Sequence, residues 1–268
     1  MPADAAAGAD RVIAALHAAA DVLDPLVRGL TPEQLTGPSA ASEWDVSQVL
    51  SHLGSGAVIT LAALEAALAG KPNPGLDANR LVWAVWDAMT PGERAAGYLD
   101  ANADLLAAYD KLDEDTCRDL RVDVGFLPAP VDLAGAARFR LNEFALHSWD
   151  VRVVFDPTAT VHPDAVPELL DVEAFMIGWL AKPAVLGGRE VTLEVTLTEP
   201  DRSFGLHLGE SGCSVGAVPQ DADGTVTATA EAWLRLVSGR LAPEHTPARV
   251  VVTGEVPLAT LRLVFPGY

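Results

Sequence analysis

Cysteine is almost missing from this chain of 268 residues: Cys117 and Cys213 are the only two. They are too few and too far apart for a disulfide framework or a cysteine-rich zinc site. The first ten residues, Met1 to Asp10, lack both a basic start and an apolar stretch, so no signal peptide is visible and a cytoplasmic location is expected. No run approaches the roughly 18 consecutive apolar residues of a membrane span, and no membrane is expected as a partner. Basic residues are scarce as well, 18 against 37 acidic ones, and only three are lysine. A net charge of −19 repels phosphate backbones and argues against nucleic acid. The lysine and alanine usage looks like GC-rich coding, which carries no mechanism.

Several catalytic signatures are missing too. Gly209-Glu-Ser-Gly-Cys213 departs from the nucleophile elbow Gly-x-Ser-x-Gly, and there is neither a Walker loop nor a dinucleotide fingerprint. Asp221-Ala-Asp223-Gly224 lacks the spacing and closing glutamate of a calcium loop. Asp-Gly reads there as a hairpin turn.

What remains is the profile of a globular protein, half apolar and 6% aromatic, long enough for one large domain or two ordinary ones. Residues 10–29 carry apolar side chains at helical spacing, with His17 beside the stripe as a surface or packing residue. Asp45 caps a second helix, and Gln48 completes a capping box. Val46, Val49, Leu50, Leu53 and Ala57 form its buried arc, with His52 at the edge. Gly54 and Gly56 each cost about 1 kcal/mol against alanine in a helix; Gly56, one turn beyond His52, serves either room beside the imidazole or close helix packing. Trp83 and Trp86 read as core or pocket wall, a third main helix runs from Pro91 to about Leu112, and Asp132 is a candidate N-cap for a fourth. After Phe155-Asp-Pro the pattern changes, and a boundary is expected near residue 157. Residues 164–181 are still helical, but from Val191 the period drops to two. Val191–Leu197, Phe204–Leu208, Val226–Ala230 and Val250–Val252 are strand candidates, with helices near 231–238 and Val256–Phe265. The expected class is α+β, a helical bundle over 1–157 followed by a small α+β domain over 158–268.

One helix carries chemistry. At about 100° per residue, Arg140, Glu143, His147 and Asp150 share a narrow face of the segment Arg140–Val151. Glu143 and His147 are one turn apart and can converge on one ion, with His52 as a third ligand from upstream. Two imidazoles and one carboxylate leave open coordination positions, as in catalytic zinc sites. Spacing alone does not separate this from a solvated Glu143–His147 pair beside a core His52. Arg140 and Asp150 read as residues that orient the ligands, or as a surface salt bridge. Trp44 and Trp149 are expected to pack, while His162 and His245 sit in connectors and carry no chemistry.

Taken together, Trp44-Asp-Val-x-x-Val-Leu-x-His52-Leu and Arg140-x-x-Glu143-x-x-x-His147-x-x-Asp150-Val resemble the mycothiol-dependent maleylpyruvate isomerase family. The resemblance implies a DinB-like four-helix metal-binding bundle followed by a smaller, sterol-carrier-like α/β domain. It implies His52, Glu143 and His147 as ligands of a divalent metal, zinc being the expected ion. It also implies mycothiol as a cofactor, and a basic residue of the second domain at the active site. Arg235, Arg240 and Arg249 are the candidates, with Arg235 and Arg240 set against a substrate carboxylate.

The chemistry agrees with that family. A divalent ion in this donor set favours a thiolate, and neither cysteine lies near a ligand in sequence, so an external thiol supplies the sulfur. Adding it to a conjugated cis double bond leaves a rotatable single bond, and expelling it restores the trans alkene. The leading expectation is therefore a metal-dependent, mycothiol-using isomerase or S-transferase, monomeric or a small homo-oligomer, with a small-molecule substrate and a low-molecular-weight thiol as partners. The alternatives are a metal hydrolase of amide or thioether conjugates and a non-catalytic small-molecule-binding protein.

Overall fold

Each apolar stripe of the first half forms a helix in the computed structural model, which describes residues 2–210 and 212–267. The long helices are α1 (Pro2–Arg28), α3 (Val46–Leu68), α5 (Pro91–Tyr109) and α7 (Leu133–Phe155), with α2 (Pro32–Leu35), α4 (Gly75–Asp87) and α6 (Glu114–Asp119) as short additions. Contacts run α1–α7, α7–α3, α3–α5 and α5–α1, which closes a four-helix bundle. Their starts follow from local side-chain chemistry. Asp45 accepts from the Gln48 amide at 2.8 Å while the Gln48 side chain accepts from the Asp45 amide at 2.9 Å, the expected capping box. Asp132 caps α7 by accepting from the Gly135 amide at 2.7 Å.

α7 has almost no amphipathic bias: 16 residues along it are buried, including Arg140, His147 and Asp150. A helix enclosed on all sides presents polar side chains to the interior only where they have work there. α3 is long and apolar enough, by length and composition, to cross a membrane. Its apolar arc lies in the bundle, with Val46, Val49, Leu50, Leu53 and Ala57 inaccessible to solvent.

The contacts divide the chain into Met1–Ala165 and Val166–Tyr268. In the second unit, α8 (Ala165–Leu180) precedes a five-stranded sheet in the order β5-β4-β3-β6-β7. Those strands are β3 (Val191–Thr198), β4 (Arg202–Gly209), β5 (Gly212–Gly216), β6 (Gly224–Thr229) and β7 (Val251–Gly254); the two-residue β1 (Arg121–Val122) and β2 (Val131–Asp132) pair in the first unit. Val191, Leu193, Val195 and Leu197 are buried along β3 while the residues between them are not, as the period of two requires. The buried face meets α9 (Ala230–Val237), where the Trp233 ring stands 5.4 Å from that of Phe204. α10 (Leu258–Val264) follows β7. α9 ends where expected, because Gly239 takes a left-handed φ of 77°.

One reading of the turns is corrected. Asp223-Gly224 does not close a hairpin: β6 pairs with β3, and in parallel, Leu193 facing Gly224. Asp223 instead ties the start of β6 to β3, its carboxylate accepting from the Thr192 amide at 2.7 Å and its amide donating to the Thr192 carbonyl at 2.8 Å. The expected α+β class, a helical region and then a sheet domain, is the one observed.

Candidate metal centre

α3 and α7 pack side by side, which brings His52 against the polar stripe of α7. His52 Nε2 lies 3.0 Å from Glu143 Oε2, and His147 Nε2 lies 3.9 Å from the same oxygen. One ligand atom from each of the three residues falls within 4.8 Å of the others. Two atoms each about 2.1 Å from a common tetrahedral zinc sit roughly 3.4 Å apart, and the two pairs that share Glu143, at 3.0 and 3.9 Å, lie on either side of that spacing. The donor set of two imidazoles and a carboxylate fits a divalent ion of borderline softness. His52 and Glu143 are partly exposed, leaving an open side for a further ligand.

The side chains behind the cluster fix its geometry. Asp150, fully buried, lies 2.8 Å from His147 Nδ1. That contact places the imidazole proton on Nδ1 and leaves the Nε2 lone pair facing Glu143 and His52. Asp150 thus orients His147 and is no surface salt bridge. Arg140 is also buried, but it serves the bundle: Nη2 donates to the Leu53 carbonyl at 3.0 Å and to Asn102 Oδ1 at 3.3 Å, and its charge stands 5.4 Å above the Phe144 ring. Burial pushes its pKa down, against the pull of Tyr98, Tyr109 and Glu143. The same burial pushes Tyr109 up to about 12.

Trp44, expected only to pack, stands over the cluster. Its ring is 5.1 Å from that of His52 and 5.7 Å from that of His147. The loop before α3 holds it there: Ser39 Oγ donates to the Trp44 carbonyl at 2.7 Å, and the Ala40 amide donates to the Asp150 carbonyl at 2.9 Å. Trp149 does pack, donating from Nε1 to the Ala159 carbonyl at 2.9 Å.

A cavity of about 310 Å³ adjoins His52 on the side of α4 and α5, walled by Trp44, Trp83 and Trp86. Gly54 admits the third wall, since a Cβ there would lie 2.0 Å from the Trp86 ring. A Cβ at Gly56 would stand 3.1 Å from Arg140 Nη1. Both glycines therefore serve close packing; neither makes room for the imidazole. Arg94, also on the lining, had no sequence signal.

No cysteine belongs to the cluster. Burial raises the pKa of Cys117, with nearby Asp10 and Asp113 adding to it, and pushes Cys213 up to about 12. Of the second-unit arginines, Arg235 holds Glu231 through Nε at 2.7 Å and Nη2 at 3.1 Å, and it is buried. Arg240 is buried too, its Nη1 donating to the Ser238 carbonyl at 3.0 Å. Arg249 is exposed and bonds Glu199 at 3.0 Å. His17 lies against Asp110 at 2.8 Å, and within the second unit His207 lies against Thr192 at 3.1 Å.

Residues 16–152 match the family described as Mycothiol maleylpyruvate isomerase N-terminal domain. Among solved structures, the chain is similar to the crystal structure of the mycothiol-dependent maleylpyruvate isomerase, at 18% identity and a TM-score of 0.65, covering 93% of this chain and 95% of that one. It is similar also to the H52A mutant of a mycothiol-dependent maleylpyruvate isomerase, at 16% identity, a TM-score of 0.63 and the same coverage. At such identity the likeness establishes the fold. No curated protein matches the sequence.

Proposed function

We propose, from the premise that the chain belongs to the mycothiol maleylpyruvate isomerase N-terminal domain family, that it is a metal-dependent, mycothiol-using enzyme of maleylpyruvate isomerase type. The observation that carries the reading is the convergence of His52, Glu143 and His147 within 4.8 Å. These three residues would hold a divalent ion, zinc by donor set. Such an ion supplies a Lewis acid that keeps a sulfur ligand in its thiolate form at neutral pH.

The chain's own residues do the remaining work. Asp150 holds the His147 proton at Nδ1, so only Nε2 faces the site. Trp44 covers both imidazoles and shields them from water on that side. The protein's thiols are held protonated by burial, which leaves the nucleophile to an external thiol. Addition of that thiol to the cis alkene of a conjugated acid, rotation about the new single bond and expulsion give the trans isomer. In the second unit Arg235 and Arg240 are the candidates for a substrate carboxylate, and at Arg235 a substrate would share or displace Glu231. We place the reaction in the cytoplasm, on a small-molecule substrate.

The test is metal analysis of the native protein and an isomerisation assay on maleylpyruvate with and without mycothiol. One equivalent of metal and turnover only with thiol are expected. Full turnover without thiol refutes the reading, whereas hydrolysis of amide or thioether conjugates without thiol favours a hydroxide-using hydrolase.

A further inference from the structure

Arg94 of α5 lines the cavity beside His52, together with Trp44, Ser51, Trp83 and Asp87. Its bonds all go to neutral oxygens: Nε to the Trp86 carbonyl at 3.3 Å, Nη2 to the Asp87 carbonyl at 3.0 Å, and Nη1 to Ser47 Oγ at 3.5 Å. Among the described residues no carboxylate forms an ion pair with it, and the Asp87 carboxylate on the same lining is not within that distance. By contrast Arg80, Arg118, Arg202, Arg235 and Arg249 each hold an acidic side chain. In a chain of net charge −19, Arg94 is a half-buried guanidinium on a cavity wall with no ion-pair partner among the described residues, so its charge stays available to a ligand. A guanidinium has five N–H donors, and three neutral acceptors leave two for a ligand. Two parallel N–H donors match the two oxygens of a carboxylate.

We propose that Arg94 is a specificity-determining residue that binds a carboxylate of the substrate in the tryptophan-walled cavity, with the remainder of the substrate directed toward His52. The ligand class is a small anionic acid. That this carboxylate belongs to a substrate rests on the isomerase reading above. A purely structural role makes a different prediction. The Trp86 and Asp87 carbonyls end α4, so Arg94 could serve only to fasten α4 to α5, which would affect every ligand alike.

The test uses the full-length, metal-loaded protein without thiol, with maleate and its neutral diamide, maleamide, as probes, and binding read by calorimetry. Wild type is expected to prefer maleate. In Arg94→Gln, maleate binding falls by about tenfold or more, the loss of a charge-assisted contact, while maleamide binding is unchanged. Equal weakening of both probes, an unchanged maleate preference, or no preference in wild type overturns the proposal. If R94Q does not fold, R94K carries the test: it keeps the charge without the fork, and maleate alone should weaken, whereas unchanged maleate affinity overturns the proposal. The two readings fail separately. Metal and thiol-dependent turnover with an unchanged R94Q preference removes only Arg94's role. A preference that depends on Arg94 in a protein without thiol-dependent turnover keeps the carboxylate site and removes the isomerase.

Discussion

Asp150 offers the sharpest perturbation of the cluster, because it touches His147 Nδ1 at 2.8 Å while remaining fully buried. In Asp150→Asn the side-chain oxygen can still accept from Nδ1, but the negative charge that raises the ligand basicity of the imidazole is gone. Loss of such an outer partner lowers metal affinity by about 10- to 100-fold, or roughly 1.4 to 2.7 kcal/mol. In Asp150→Ala the acceptor goes as well, and a buried N–H that loses its acceptor costs about 1–3 kcal/mol of stability. At roughly 2–4 °C per kcal/mol for a chain of this size, D150A should melt several degrees lower than D150N. Zinc affinity measured by competition with a chromophoric chelator, beside thermal melts of the metal-free proteins, separates the two effects. Zinc affinity of D150N within twofold of wild type would refute the assigned role of Asp150.

Gly54→Ala should destabilise by up to about 2 kcal/mol, because the overpacking cost of about 1–3 kcal/mol at Trp86, 2.0 Å from the new Cβ, exceeds the gain of about 1 kcal/mol in helix propensity. Gly56→Ala, whose Cβ would sit 3.1 Å from Arg140 Nη1, should cost less; thermal melts that reverse this order contradict the packing described for α3. Asp24 has its pKa raised, mainly by burial, although Tyr98 donates to it at 2.7 Å. A carboxyl whose folded pKa lies above its unfolded value favours the fold most when protonated in both states, and that contribution is lost as pH rises through the folded pKa. Asp24→Asn should therefore gain in melting temperature over wild type at neutral pH, with the gain shrinking as pH falls to about 3; a gain independent of pH argues against it. Cys117 and Cys213 should resist a thiol reagent at pH 8 until the protein unfolds, since burial raises both. Labelling of the native protein within minutes contradicts their exclusion from the chemistry.

Local signals carried well into the structure. The capping box at Asp45 and Gln48, the N-cap at Asp132 and the alternation along β3 depend on residues near in sequence, and each appears as read. The shared face of Glu143, His147 and Asp150 is likewise helix geometry, and no tertiary information is needed to place those three together. Where packing decides, sequence patterns say less. His52 reaches Glu143 only because α3 and α7 are neighbours in the bundle, a fact that the matched motifs suggested and spacing did not. Trp44 lies in a loop whose path depends on the Ala40 contact to α7, so its position over the imidazoles had no periodic signature. Gly54 reads as a cost to α3 from its own helix alone, whereas the indole of Trp86, from α4, packs against it. The parallel partnership of β3 and β6 depends on which strand crosses over, and a local Asp-Gly pair gave the wrong turn.

Zinc titration of the metal-free wild type beside His52→Ala, Glu143→Ala and His147→Ala addresses the shared ion most directly. Wild type should take up one equivalent, and each substitution should weaken that binding by at least about 100-fold, the expected loss of a direct ligand exceeding that of an outer partner. A folded His52→Ala variant that binds one equivalent as tightly as wild type would show that α3 contributes no ligand.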